Sequence, residues 1–236
     1  MFFKSKIRQY FARRLKIPEI PFALERLYNI GFKPNLIFDV GAYKGDFAKS
    51  CLDIWPNSKV ACFEALEHKV LELKHLASLN PTIEVFPILL GAQTREQVPL
   101  NESETASSVL VESIPQNFPV KFYPMRTIDQ IVQEYFSDRP PDFLKLDVQG
   151  YELEVLKGAE KSLAKMQLIL AEINLIDIHQ NVPLLADIIQ WLNDRDWVAY
   201  DICELHRRPL DQALWQADFI FIPRNSPLRT DKRWSA

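Results

Sequence analysis

The chain has 236 residues, of which 47% are hydrophobic, 11% aromatic and 25% charged. Those fractions exclude a disordered or fibrous chain and suit one large domain with a single core. Lys and Arg number 28 against 31 Asp and Glu, so a net charge of -3 gives no basic field that would draw nucleic acid.

Residues 1–16 carry six basic side chains and no acidic one. Phe3, Ile7, Tyr10 and Phe11 fall on one helical face, which predicts an amphipathic helix. Such a helix either docks on its own domain or anchors to a membrane surface or partner. No apolar run approaches the roughly 18 residues of a membrane span, and none makes a signal peptide. From Pro21, a short helix carries Leu24, Leu27 and Tyr28 and stops at Gly31.

Strand and helix signals then alternate. LIFDV (36–40) is an apolar run of the kind buried on both faces of a parallel sheet. A helix follows with Phe47, Ala48, Cys51, Leu52 and Trp55 on one stripe, then the strand KVACFE (59–64) and a helix marked by Val70, Leu73 and Leu76. IEVFPILL (83–90) reads as a third strand in which Pro87 signals a break or a sheet edge. Residues 91–127 are irregular, with VPL and SVLVE as short strand candidates, and suggest a functional loop or hairpin.

DFLKLDV (142–148) resumes the strand pattern. A helical stripe of Leu153, Leu156, Ala159 and Leu163 leads to the strand LILAEI (168–173). Leu184, Leu185, Ile188, Ile189 and Leu192 mark another helix, and WVAYDI and DFIFI are closing strands. The alternation predicts a doubly wound α/β sheet with helices on both faces. Residues 1–33 are expected as a helical extension, 34–223 as the domain and 224–236 as a frayed tail. Cys51, Cys62 and Cys203 offer no disulfide framework and no CxxC zinc knuckle, and point to a reducing, cytoplasmic setting.

In such sheets a ligand lies beyond the carboxyl ends of the strands, where the strand order reverses. The first strand ends in Asp39-Val40-Gly41-Ala42-Tyr43-Lys44-Gly45-Asp46. Gly41 permits close approach of a ligand, Gly45 the turn into a helix, and the helix N-terminus offers N–H groups to a carboxylate or phosphate. Glu64, twenty-three residues after Gly41, sits where an acid holds a ribose diol. Tyr43 and Asp46 occupy glycine positions of a dinucleotide fingerprint, and Lys44-Gly45 reverses the end of a P-loop. S-adenosylmethionine (SAM) fits better, because its amino-acid end carries both an ammonium and a carboxylate. Asp39 either meets that ammonium or serves as a turn residue.

These residues resemble a known family. FDVGAYKG (38–45), CFEA (62–65), FLKLDVQGYELEVLKGAEKSL (143–163), AEI (171–173) and RRPLDQALWQADFIFI (207–222) are similar to FkbM-family SAM-dependent methyltransferases. The resemblance covers residues 25–222 and implies a Rossmann-like class I fold, a seven-stranded sheet with an antiparallel last strand. It also implies methyl transfer to an oxygen on a sugar, glycolipid or secondary metabolite. Two positions depart from the pattern: Gln149 stands where the family usually has Glu, and Ala65 where it usually has Pro. An amide at 149 is a poor ligand for hard cations, and no metal ligands are expected.

The cofactor is therefore expected against Asp39, Gly41, Ala42, Tyr43, Lys44, Gly45, Glu64, Ala65, Gly91, Ala92, Ser107 and Asp147. Ser107, with Ser108, serves either the ligand or a turn, and Gly91-Ala92 lies near the adenine or simply ends a strand. Asp147 positions the acceptor or acts as general base, unless it caps the next helix. Lys145 shares its face and pairs with it, with a substrate anion or with water. Gln149, Glu152, Glu172 and His179 are the remaining substrate candidates, His179 as the imidazole base. Two other classes stay open: a nicotinamide-dependent Rossmann oxidoreductase, and a non-catalytic SAM-fold module recruited by its basic N-terminus.

Overall fold

The computed structural model describes residues 14–15, 17–103, 106–114 and 117–235. Its central layer follows from strands that are apolar on both faces. Every residue of β1 (Leu36–Val40) is buried; Leu36, Phe38 and Val40 join one hydrophobic cluster, Ile37 a second on the opposite face. Around it stand β2 (Lys59–Phe63), β3 (Ile83–Phe86), β7 (Phe143–Leu146), β8 (Leu168–Asn174), β9 (Trp197–Arg207) and β10 (Leu214–Pro223). The order is β3-β2-β1-β7-β8-β10-β9, with β10 alone running against the other strands.

Helices cover both faces. Leu24 and Leu27 of α1 (Ile20–Asn29), Ala48 and Cys51 of α2 (Asp46–Ile54) and Leu73 of α3 (Glu67–Leu79) pack with Ile37. On the other face Ile128 and Ile131 of α4 (Ile128–Tyr135), Leu156 of α5 (Glu152–Lys157), Leu163 of α6 (Glu160–Leu163) and Ile188 of α7 (Leu185–Asn193) pack with Phe38. The chain runs outward from β1 through β2 to β3, then returns to place β7 on the other side of β1. This reversal puts a crevice beyond the carboxyl ends of β1 and β7.

Several expectations are corrected. IEVFPILL divides at Pro87: β3 is the edge of the main sheet, whereas β4 (Leu89–Leu90) joins a second sheet of order β4-β6-β5. Its other strands are β5 (Arg95–Asn101) and β6 (Val120–Arg126), so much of the region read as irregular is a small sheet. SVLVE forms no strand; Ser108 and Glu112 make isolated bridges to Asn101 and His179. The sequence reading passed over α4, although Thr127 and Gln130 form a reciprocal capping box at its start. The stripe 153–163 divides into α5 and α6, separated at Gly158 and Ala159.

The ends are also more engaged than expected. The α1 helix contributes to the core, and Arg26 pairs with Asp201 at 2.6 Å. The tail forms a 3-10 turn over Pro227–Arg229, with Leu228 packed against the core and its carbonyl accepting from the Tyr200 hydroxyl. The amphipathic pattern of residues 1–16 falls, apart from Arg14 and Leu15, outside the described residues. Among the described residues no helix is long and apolar enough to cross a membrane.

Candidate functional site

The turn after β1 is built on two backbone requirements. Gly41 has φ +75°, and a Cβ placed on it would lie 1.8 Å from the carbonyl oxygen of Asp147. Only glycine lets the ends of β1 and β7 approach so closely. Gly45 has φ +77° where α2 begins, and a Cβ there would press on Leu76 and Leu73 at 2.6 and 2.9 Å.

The N–H groups of the turn itself are engaged within the protein. Gly41 and Ala42 both donate to the Phe63 carbonyl, at 3.0 and 3.1 Å. Tyr43 N donates to Glu64 Oε2 and Leu66 N to Oε1, each at 2.9 Å. Glu64 thus ties the turn after β1 to the end of β2. Burial pushes its carboxyl upward, against the pull of those two N–H donors.

A cleft of about 730 Å³ opens at this end of the sheet. Of the expected residues, Gly41, Tyr43, Glu64, Ala65, Ser107, Asp147, Gln149 and Glu172 line it. Leu66, Ile88, Leu89 and Leu100 add an apolar wall near Glu64. Gln149, Glu172, Glu204, His206, Trp215 and Gln216 supply a polar wall along β8, β9 and β10.

Lys145 and Asp39 lie behind the turn, not on the cleft wall. Asp39 is fully buried, and neither of its oxygens accepts a directed hydrogen bond. Lys145 Nζ stands 3.1 Å from Asp39 Oδ1 and 3.4 Å from Asp147 Oδ2, and donates to the Gly41 carbonyl at 2.9 Å. Burial alone would depress the lysine, but the two carboxylates outweigh it and hold Lys145 above its ordinary value. Asp39, expected to grip the cofactor, and Lys145, expected in catalysis, therefore meet each other beneath the turn and do not line the cleft. Both neighbour Cys62 or Leu170 in register within the sheet, so their side chains lie among buried groups.

Asp147 does reach the cleft, with its side chain 39% exposed. Gln149 Nε2 donates to Asp147 Oδ1 at 3.0 Å and to Glu172 Oε2 at 2.8 Å. One neutral amide therefore bridges two acids, which a glutamate at 149 could not do. Burial first, then the charges of Asp147, Asp218 and Glu152, drive the Glu172 carboxyl far upward.

The imidazole of the site is not the expected one. His179 is buried and pairs through its backbone with Glu112, away from the main cleft. Burial lowers its basicity, and its Nδ1 has no partner among the described residues. His206 instead lines the cleft, with Nε2 2.8 Å from Asp218 Oδ2 and 3.8 Å from Glu172 Oε1. The hydrogen bond to Asp218 raises its basicity despite partial burial. Its signal was the spacing Glu204-x-His206, which places both on one face of a strand of the late hairpin where the sequence already set His206.

Other expected residues have local roles. Glu152 is buried off the cleft, and its Oε1 accepts from Val148 N and Gly150 N, bracing the turn that carries Gln149. Burial pushes it up to about 7. Gly91 packs beneath Tyr151, and Ala92 follows it away from the cleft wall. Lys44 lies 5.0 Å from the Tyr43 ring centre, and with Ala42 and Gly45 stays off the wall. Ser107 bonds back to Ser103, while Ser108 donates to the Gln149 carbonyl at 2.8 Å.

No curated protein matches the sequence. Among solved structures, magnesium protoporphyrin IX methyltransferase from Synechocystis PCC 6803, determined with bound SAM, superposes with a TM-score of 0.52 at 12% identity, over 86% of this chain and 77% of that one. An uncharacterized protein from Listeria monocytogenes serotype 4b gives 0.50 at 12% identity, over 89% and 70%. At such identities the likeness is one of fold, the class I methyltransferase architecture. The family described as the methyltransferase FkbM domain matches residues 39–198, which displaces the oxidoreductase alternative. The glycine turn, the acid at the end of β2 and the DVxG turn after β7 all fall within that match, and the chain belongs to the FkbM family of SAM-dependent methyltransferases.

Proposed function

We propose that this chain transfers the methyl group of SAM to an acceptor hydroxyl, on a sugar, glycolipid or secondary metabolite. The observation that carries the reading is one continuous cleft lined by Glu64 and the Gly41 turn, by Asp147 beside that turn, and by Gln149 and Glu172 beyond it. The first set suits the cofactor. Each Glu64 oxygen accepts one backbone N–H and retains a lone pair for a ribose hydroxyl. Leu66, Ile88 and Leu100 offer the apolar surface an adenine needs. Bound SAM supplies an electrophilic methyl on a sulfonium, to be attacked in line.

Asp147 stands between the two ends. Lys145 and Gln149 fix its carboxylate at 3.4 and 3.0 Å, leaving an oxygen face on the cleft. A hydroxyl held there would be aligned toward the cofactor end and would give its proton to the Asp147 carboxylate as the new C–O bond formed and the methyl–sulfur bond broke. Trp215 and the carboxylates of Glu172 and Glu204 fit the apolar face and hydroxyl rim of a sugar-like acceptor. Those acids oppose a phosphate backbone, which favours a small hydroxyl acceptor over nucleic acid.

The test is calorimetric titration with SAM and with NAD, followed by a SAM-consumption screen over sugars, lipid glycosides, natural-product alcohols and RNA. Micromolar SAM binding and methyl-oxygen products are expected. Methylation of RNA alone, or of nitrogen in an amine, would overturn the acceptor class.

A further inference from the structure

We propose that Glu172, His206 and Asp218 form a binding site for a first-row divalent cation at the acceptor end of the cleft. One ligand atom from each lies within 4.8 Å of the others, close enough to share one ion. Glu172 on β8 and Asp218 on β10 are register partners, and Asp218 in turn pairs with Glu204, two residues before His206 on β9. Three adjacent strands therefore carry the three ligands, a stiffer support than loops would give.

A second observation concerns charge. Glu172 and Asp218 are only 9% and 6% exposed. Oε2 of Glu172 accepts from Gln149, Oδ2 of Asp218 meets His206, and Oε1 of Glu172 lies 3.8 Å from the same imidazole nitrogen. Acids buried this deeply are ordinarily paired with cations or hold a metal. Lys145 cannot serve, because its ammonium is committed to Asp39, Asp147 and the Gly41 carbonyl. Arg207 Nη1 is turned to the Gln212 carbonyl. His206 is the one basic side chain paired with either acid among the described residues.

The donor set selects the ion. Two carboxylate oxygens with one imidazole nitrogen suit Mn²⁺, Fe²⁺ or Zn²⁺, whereas Mg²⁺ and Ca²⁺ favour all-oxygen shells. Gln149 orients Glu172 from outside, as partners of metal-binding carboxylates do. Three protein ligands leave further positions for a substrate oxygen. That last role rests on the hydroxyl methyltransferase reading; binding of the ion does not.

The experiment titrates chelator-treated full-length protein with Mn²⁺, reading free Mn²⁺ by paramagnetic resonance, with Zn²⁺ as competitor. One equivalent should bind, with affinity falling at least tenfold in His206→Gln and in Glu172→Gln and unchanged in His75→Ala. SAM titration of each variant verifies that the cofactor end is intact. Absence of binding by wild-type protein at millimolar Mn²⁺ and Zn²⁺ overturns the site, as does equal affinity in wild type and His206→Gln. Mn²⁺ binding without SAM binding or methyl transfer would instead sink the catalytic reading and leave the ion site standing.

Discussion

The carbonyl oxygen of Asp147 fills the space that a side chain on Gly41 would need, with only 1.8 Å between it and an added Cβ. Gly41→Ala must therefore push apart β1 and β7 while also straining a φ of +75°. A loss of about 3 kcal/mol or more is expected in urea unfolding, with SAM binding abolished. Wild-type stability in this variant would mean that the two strand ends separate freely.

Lys145 holds a fully buried Asp39 and an exposed Asp147 at once. Lys145→Met leaves the Asp39 charge without a counter-ion, and a cost of about 3–5 kcal/mol is expected. Adding Asp39→Asn should recover most of it, because the uncompensated charge is gone. Equilibrium unfolding of the two single variants and the double variant measures the coupling. Additive losses would show that the pair does not interact.

Glu64 serves the turn through two backbone donors and faces the cleft as well. Glu64→Gln should weaken SAM by about 1–3 kcal/mol in calorimetry, the worth of hydrogen bonds to a charged acceptor. An unchanged dissociation constant would confine Glu64 to bracing the turn.

Glu152 is raised by burial from 4.5 to about 7 in the folded chain. The folded state therefore keeps its proton where the unfolded chain has lost it. Stability falls as pH rises from 4.5 to about 7 and stays reduced above, by about 3 kcal/mol. Glu152→Gln retains an acceptor for Val148 N and Gly150 N but cannot ionise. The gap between unfolding midpoints at pH 5 and pH 8 should narrow in this variant, the raised Glu64 and Glu172 supplying the remainder; an undiminished gap would place the pH dependence elsewhere.

Much of the frame was legible in the residues. LIFDV had to be an interior strand because it is apolar at every position, and Asp39-Val40-Gly41 marked its exit. Of the acids on the cleft, Glu64, Asp147 and Glu172 were found by their places toward strand ends, whereas Glu204 was not. The Thr127/Gln130 capping pair that opens α4 was present in the sequence, but the helix is only two turns long and follows a polar, strand-forming stretch. Pro87 signalled a break, but not that the chain crosses there into a second sheet.

By itself, the sequence determined the alternation of strands and helices, the glycine turn and the family, since these depend on local pattern and spacing. Tertiary structure decided which side chains meet. Asp39 meets Lys145, which reaches it from a neighbouring strand 106 residues away in chain position, and His206 rather than His179 lines the cleft because β9 lies beside β10. Such contacts are set by strand order and register, which no spacing along the chain encodes.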